Sequence, residues 1–444
     1  MKTIKPPYYK IFLKMTMKKK NVLIPQSVTC ESRKYAASEI DSKSLSFKCM
    51  NSVQFPEDSE VRAIADSAFF ESDLESITIP SSVVDNTRTN NSSNVKDVLL
   101  FVRRDIETAI TPSFVKVIAP CAFNSCYCLS KIEFEEKSEL KYTEDNAFLD
   151  CTLESLVIPQ HVVKMGKFAF CNCKIKKVEF AENSELRYVD DSAFSSAYIE
   201  SIVIPPNVVH IGVNSLSNCS CLKKVEFSDG TKMDSLGEFI FQSSSIEQVS
   251  IQSSVFELER GWNSQTRNLI DIKISPNHHN FKYIDDTFLL GKANPLNDIF
   301  DVLHFVRRDA QKVTIPSFIK RIGSYALCSC TNLNEVEFPE DSAMQKTDES
   351  AFSNSSLEKL TIHSNITEIG SYSFCSCEKL TTIEFDNNSK LIKIDSFAFF
   401  YSSLIEITIP SSVLRIFSHA FSSCIELKKV VFSKDSNIFY SIFL

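Results

Sequence analysis

The dipeptide Ala-Phe, or a close variant of it, returns along this chain at a nearly constant interval. Successive copies lie 22 to 25 residues apart, and two unlike halves make a repeat of about 47 residues. The copies stand at Phe123, Phe148, Phe170, Phe194, Leu216 and Phe241, and again at Leu327, Phe352, Phe374, Phe399 and Phe421. A unit this short cannot bury its own apolar face, so neighbouring units must stack and share a core. The period therefore argues against the several globular domains that a length of 444 residues would otherwise suggest.

Each half of the repeat begins with a short segment in which apolar and polar residues alternate. Ile132-Glu133-Phe134 and Ile407-Thr408-Ile409 are examples, and such alternation is typical of a half-buried β-strand. Proline follows several of these segments, as at Pro159 and Pro205; it ends the strand because it has no N–H to donate. We predict about 17 rungs whose strands join in one long parallel β-sheet, with short turns or 3-10 and other helical segments on the other side.

The complete motif reads Leu-x-x-Ile-x-Ile-Pro-x-x-Val-x-x-Ile-Gly-x-x-Ala-Phe-x-x-Cys-x-x-Leu. It is recognisable in residues 74–80, 404–424 and, with changes, 153–173. It resembles the repeats of the BspA-like (Treponema-type) leucine-rich repeat surface antigens of anaerobic bacteria and parasitic protozoa, and the resemblance covers about residues 21–444. It implies a right-handed, curved leucine-rich-repeat solenoid. For the surface members of that family it also implies adhesion to host or extracellular-matrix proteins.

The ends of the chain and its cysteines bear on its organisation and location. Residues 1–20 carry seven lysines and no acidic residue, and we expect a basic, disordered leader there. Residues 21–444 are expected to form a single solenoid with insertions near 81–109 and 275–312. No apolar stretch is long enough for a secretory signal or a membrane-spanning helix. This absence and 15 cysteines, an odd number, favour the cytoplasm, whereas the resemblance suggests the cell surface.

Composition argues against several kinds of chemistry. With 48 basic and 56 acidic residues the net charge is -8, which speaks against nucleic acid as a partner. Only 8 glycines are present, too few for glycine-rich phosphate loops, and we expect few residues with positive φ. The cysteines are expected to form a ladder of small buried thiols; a disulfide within Cys126, Cys151 and Cys173 is the alternative. No catalytic or metal-binding motif is present, so we predict no enzyme activity, no cofactor and no metal.

The central residue of each strand should point away from the core and so mark the surface that is open to a ligand. About every second rung carries glutamate there, and the candidates for ligand contact are Glu133, Glu179, Glu226, Glu337 and Glu384. Lysine stands two residues earlier at Lys131, Lys177 and Lys224, where it would partly neutralise three of these carboxylates. The alternative is a charged face that only keeps the solenoid soluble.

The two insertions contain nearly the same text, VLLFVRRD at 98–105 and VLHFVRRD at 302–309, which indicates a block duplication. Loops on a rigid array commonly contact ligands, so Arg103, Arg104, Arg307 and Arg308 complete the candidate set. Alternatively, the apolar half of each insertion pairs as an extra strand and Arg-Arg-Asp forms the turn. Trp262 either covers an irregular rung or anchors an interface.

The predicted function is that of a non-catalytic, protein-binding leucine-rich repeat protein. It would act as an adhesin or surface antigen that engages host or matrix proteins through the strand face and the insertion loops. The alternative is an intracellular scaffold with the same fold. The oligomeric state is left open.

Overall fold

The computed structural model describes residues 105–434 and residue 436, together with short strands among the first 104 residues. The predicted leader, residues 1–20, lies outside the described residues. The chain divides into two compact units, residues 1–198 and 199–444, and each unit is a parallel β-solenoid. The prediction of a single solenoid body stays a prediction.

Every rung carries a long strand of three or four residues and, in most rungs, a short strand of two. In the first unit the long strands are Thr108–Thr111, Lys131–Phe134, Ser155–Ile158 and Lys177–Phe180. The short strands are Val98–Leu99, Val117–Ile118, Tyr142–Thr143, Lys164–Met165 and Tyr188–Val189, which pair in parallel in that order. The remaining strands are Asn21–Leu23, Ser27–Cys30, Arg33–Ala36, Glu39–Ile40, Ser52–Gln54, Ala63–Ile64 and Ser76–Ile77.

The second unit repeats this plan over more rungs. Its long strands are Ser201–Ile204, Lys224–Phe227, Gln248–Ile251, Asp271–Ile274, Lys312–Thr314, Glu335–Glu337, Lys359–Ile362, Thr382–Phe385, Glu406–Ile409 and Lys429–Phe432. Its short strands are His210–Ile211, Ser235–Leu236, Glu257–Leu258, Arg321–Ile322, Lys346–Thr347, Glu368–Ile369, Lys393–Ile394 and Arg415–Ile416. The short strands form a second ladder that the sequence did not predict, since two residues are too few to show an alternation.

The predicted helical segments need correction, whereas the number of rungs agrees over the residues that the structure describes without gaps. Residues 105–434 contain about 14 turns, and 14 of the 17 predicted rungs fall there. The other three predicted rungs fall where the structure describes only Asn21–Leu23, Ser52–Gln54 and Ser76–Ile77, which pair with one another in parallel. No helix occurs among the described residues, and none there could cross a membrane.

The hydrogen bonds of the Ala-Phe turn explain why it is not a helix. The amide of Phe123 donates to the carbonyl of Ala147 in the next rung at 2.7 Å, whereas the amide of Asn124 donates within its own turn, to the carbonyl of Cys121 at 3.1 Å. Alternate amides therefore point along the stack. An α-helix instead bonds every amide to the carbonyl four residues earlier. The turn is thus a third set of hydrogen bonds between rungs.

The expectation of few residues with positive φ was wrong. Among the described residues, 29 that are not glycine have positive φ, and in most turns they come in pairs four residues apart, such as Asn146 with Asp150 and Ser192 with Ser196. Asparagine and aspartate tolerate the left-handed region because their short polar side chains hydrogen-bond locally. Scarce glycine therefore does not mean few left-handed turns in this chain.

The phenylalanines of the repeat form the centre of the core. In the first unit Phe123, Phe148, Phe170 and Phe194 are buried, and successive rings stack with centroids 4.6, 5.0 and 5.3 Å apart. Nearly parallel rings at this distance stabilise each other beyond the burial of their area. The same ladder returns in the second unit from Phe352 to Phe421. Stacked rings thus set the spacing of the rungs.

The insertion near 275–312 is part of the second unit's core, as the alternative interpretation held. Phe281–Ile284 and Phe288–Gly291 pair antiparallel, and Val302–Val306 joins Phe288–Gly291 antiparallel and Arg321–Ile322 in parallel. Phe305 is buried with its ring 6.3 Å from that of Trp262. Trp262 is only 2% exposed, so it fills an irregular rung and does not anchor an interface.

Candidate ligand-binding face

The outward residues of the long strands form one continuous surface in each unit, which we call the strand face. In Ser155–Ile158 the residues alternate between exposed and buried, so Leu156 and Ile158 enter the core while Ser155 and Val157 face solvent. The same alternation holds in Lys359–Ile362 and Glu406–Ile409. Successive side chains of a strand point to opposite sides, so the sequence alternation correctly predicted which residues face outward.

All five predicted glutamates lie on the strand face. The side chains of Glu133, Glu179, Glu226 and Glu337 are 42 to 50% exposed, and Glu384 is also exposed. Their contact with a ligand stays a prediction.

Most of these carboxylates have a cationic neighbour. Lys177 lies 2.7 Å from Glu179 on the same strand, and Lys131 pairs with Glu133 in the same way. In the second unit Lys224 lies 2.7 Å from Glu226. Exposed pairs of this kind contribute about 0–1 kcal/mol to stability, so their main effect is to make these rungs nearly neutral. The neutralisation predicted from the spacing is confirmed.

Towards the end of the second unit the strand face is more acidic. Lys312 contacts Glu337 at 2.7 Å and Glu335 at 3.2 Å. The hydrogen bond from Lys312 lowers the pKa of Glu337, and the same bond raises the pKa of Lys312. Glu384 instead accepts a long hydrogen bond, 3.5 Å, from the hydroxyl of Thr361. The carboxylate of Glu337 therefore stays ionised at neutral pH.

Small β-branched residues separate the glutamates and are unusually exposed where they are aliphatic. Ile110 is 66% exposed and Val157 is 54% exposed in the first unit, and Val203 is 51% exposed in the second. Thr314, Thr361 and Thr408 take this position further along. The candidate set drawn from the sequence contained none of these residues, although they occupy the same central strand position as the glutamates. These side chains add apolar surface to the strand face, which the centre of a protein interface requires.

Among the described residues, similar grooves lie along the strand face at one rung of the first unit and at two rungs of the second. We name them after the residue at their floor. The Val157 groove has a volume of about 520 Å³, the Thr361 groove about 500 Å³ and the Thr408 groove about 680 Å³. Each has a glutamate in one wall and the phenylalanine that follows it at one end. These pairs are Glu133 with Phe134, Glu337 with Phe338 and Glu384 with Phe385.

The grooves follow from the sequence of the repeat. A rung with glutamate and a terminal phenylalanine alternates with a rung that carries a small residue and, in most cases, proline after its strand. The phenylalanines at the groove ends are only half-buried, since they lie at the end of the strand, where the core gives way to the turn. At these three places the small-residue rung leaves a recess beside the longer side chain of the preceding glutamate rung.

The prediction that Arg308 faces a ligand was wrong. Its side chain is completely buried, and its guanidinium donates to the carbonyls of Ala326 at 2.9 Å and Val306 at 3.2 Å. It also lies over the ring of Phe305, 4.7 Å from the centroid. The strand Val302–Val306 carries the arginine inward because it is paired on both sides, with Phe288–Gly291 and with Arg321–Ile322. The sequence alone could not predict the bonds to the carbonyls of Ala326 and Asn263, which lie 18 and 45 residues away in the chain.

The other three arginines of the insertions were predicted to contact a ligand as well. Arg307 is partly exposed and forms a pair with Asp309, with Nε 2.6 Å from a carboxylate oxygen. Arg103 and Arg104 lie outside the described residues. The part of the insertion that reaches furthest into solvent is the loop before Val302, where Leu296 is 93% exposed and Ile299 is 51% exposed. Contact of this loop with a ligand stays a prediction.

Seven of the described cysteines are buried in the core, five are partly buried and Cys128 is exposed. The 13 described cysteines are thiols in the structure, which favours the buried ladder over a disulfide. Cys151 donates its S–H to the carbonyl of Phe123 at 2.9 Å, and Cys173 donates to Phe148 at 2.8 Å. Burial raises the pKa of Cys151, and it raises that of Cys377 to about 12. Within the described part of the chain no group of three or more His, Cys, Asp or Glu side chains is placed to hold a metal ion.

Comparison with known proteins shows which family and which solved structures this architecture resembles. The model of the BspA type leucine rich repeat region matches residues 24–96, 99–208, 187–290 and 304–428, in six copies. The structure is similar to that of a leucine rich cell surface protein from Faecalibacterium prausnitzii, with a TM-score of 0.56 and 20% identity over 94% of this chain and 89% of that one. It is also similar to the pneumococcal vaccine antigen PcpA, with a TM-score of 0.52 and 21% identity over 76% of this chain and 75% of that one.

At these identities the two structures support the fold alone, and no curated protein sequence matches this chain significantly. The family model matches most of the sequence. The chain therefore belongs to the BspA-type leucine-rich repeat family.

Proposed function

We propose that this protein is a non-catalytic binding protein that engages a protein partner through its strand face. The observation that carries the proposal is the exposure of Val157 and Ile110 between rungs that carry paired lysine and glutamate. A face kept only for solubility would not need aliphatic side chains exposed by half or more. Apolar contacts flanked by satisfied charges are the usual make-up of a protein interface.

The partner class follows from the family. Because the chain belongs to the BspA type, and because it is similar in fold to a cell surface protein and to a vaccine antigen, we propose an adhesin or surface antigen role toward host or matrix proteins. The strand face would supply most of the contact. The exposed Leu296 loop of the insertion would add a second contact beside it.

The test compares two matched substitutions in the first unit. Val157→Asp places a charge on the strand face, and Tyr127→Asp places one on the turn side, where the tyrosine is 66% exposed. Both positions are exposed, so stability should change by no more than about 0.5 kcal/mol. Binding to a panel of purified matrix and serum proteins is measured for both variants. Loss with Val157→Asp alone supports the proposal, and equal binding by wild type and Val157→Asp refutes it.

An intracellular scaffold that binds protein partners through the same face is the second candidate, favoured by the many thiols of the core. Proteolysis of intact cells separates the two. Cleavage of the native chain by an added protease supports the surface role. Complete protection, with cleavage only after lysis, supports the scaffold.

A further inference from the structure

The grooves of the strand face recur at a fixed distance. In the second unit the Thr361 and Thr408 grooves lie two rungs apart, because Lys359–Ile362 pairs with Thr382–Phe385 and that strand pairs with Glu406–Ile409. Two parallel ladder steps amount to about 9.6 Å. A ligand that fills both grooves must therefore present side chains on one face about every 9.6 Å.

Few backbone conformations meet that condition. A polyproline II helix has three residues per turn and a rise of 3.1 Å, so every third side chain faces the same way at about 9.3 Å. An extended β-strand places like-facing side chains about 6.7 Å apart. An α-helix returns to the same face every 5.4 Å, so alternate turns would lie over the glutamate rung between the two grooves and not over a groove. Only the polyproline II period matches the grooves.

The lining of the grooves fits the same ligand. Each groove has a half-buried phenylalanine at one end, and proline-rich segments dock into grooves lined by aromatic rings. The hydroxyl of Thr408 can donate to a carbonyl that such a segment leaves without an internal partner, and that of Thr361 could do so in place of its long bond to Glu384.

The charge of the walls adds a preference. The described residues that line the Thr408 groove include Glu384, Asp386 and Glu406 and no basic side chain. The Thr361 groove is lined by four acidic side chains, Glu335, Glu337, Glu340 and Asp386, against one lysine, Lys359. A basic residue at every third position of a proline-rich segment would thus meet carboxylates in both grooves.

We propose that the strand face of the second unit recognises a basic, proline-rich segment in the polyproline II conformation, with one residue in three seated in successive grooves. The Val157 groove of the first unit lacks this acidic preference, because Lys131 and Lys137 line it beside Glu133 and Glu135. This inference rests on the proposed function and names the chemical class of the partner.

The experiment measures binding of two fluorescein-labelled peptides to the full chain by fluorescence anisotropy at physiological ionic strength. One peptide is (Pro-Pro-Arg)4. The other has the same eight prolines and four arginines with the arginines irregularly spaced, so its charge and composition are identical. We expect the regular peptide to bind at least tenfold more tightly. Thr361→Trp and Thr408→Trp, which fill the grooves, should each weaken it at least tenfold, whereas the exposed control Thr331→Trp should not.

Equal affinity for the two peptides would show attraction by charge alone and would overturn the proposal. Absence of binding, or binding that neither groove-filling variant weakens, would overturn it as well. The proposed function is tested separately, because Val157→Asp can abolish binding of a whole partner protein even where the peptides fail.

Discussion

Replacing Phe374 by leucine removes one ring from the middle of the phenylalanine ladder of the second unit. Phe374 is fully buried and stacks on Phe352 at 4.9 Å and on Phe399 at 5.2 Å, with ring planes within 9°. A stacked pair contributes about 0.5–1.5 kcal/mol beyond the burial of its area. Loss of two pairs should therefore lower the free energy of unfolding by about 1–3 kcal/mol more than the change from phenylalanine to leucine costs elsewhere in the core.

Phe352 provides the matched control. It is equally buried but has only one aromatic neighbour in the ladder, because leucine stands at position 327 in the preceding rung. Phe352→Leu should cost about half as much stacking energy, and the double variant should show a coupling of about 0.5–1.5 kcal/mol. Urea unfolding followed by the fluorescence of Trp262, the single tryptophan, measures all three. Equal losses for the two single variants, with no coupling, would refute the role given to the ladder.

Three further outcomes are expected. In native protein at pH 8 the exposed Cys128 should react first with a thiol reagent, and Cys128→Ser should remove that fast phase. The buried Cys151 and Cys377 should react only on unfolding, because burial raises their pKa values. Fast labelling of either buried thiol would contradict the burial. His304 packs edge-on against Phe281, and burial lowers its pKa to about 4. The unfolded chain therefore takes up a proton first, and the free energy of unfolding should fall by at most about 3 kcal/mol as the pH drops from 6.5 to 4. Unfolding curves of His304→Gln should show a smaller pH dependence, and an unchanged pH dependence would contradict the role given to His304. In thermal melts Arg308→Lys should destabilise the protein about 2 kcal/mol more than Arg308→Met, because lysine keeps the buried charge but cannot reach the same carbonyls. The partly exposed Arg307→Lys serves as the control. A larger loss for Arg308→Met than for Arg308→Lys would contradict the role given to the buried guanidinium.

The sequence was informative about the face because a strand has a strict period. The alternation around Glu133 and Glu179 was enough to place both carboxylates outward, and the lysines two residues earlier necessarily fell on the same side. The phenylalanine spacing likewise predicted stacked rungs. These features depend on residues close together in the chain, so they can be read without knowing the fold.

Features that depend on distant rungs could not be predicted in the same way. The burial of Arg308 depends on the carbonyl of Ala326 and on the extra strand Val302–Val306. The left-handed residues of the turns depend on amides that point to the next rung, as that of Phe123 does. The grooves depend on how the turn residues beside the strands are placed, such as Pro159 and His161 at the Val157 groove.

The central claim is that the strand face is the surface that meets a partner, and site-specific photo-crosslinking tests it most directly. A benzoyl-phenylalanine replaces Val157, Thr408 or, as the turn-side control, Tyr127, and each variant is irradiated with a partner protein found in the binding panel. The account predicts cross-links from Val157 or Thr408 and none from Tyr127. Cross-links from Tyr127 alone would contradict it.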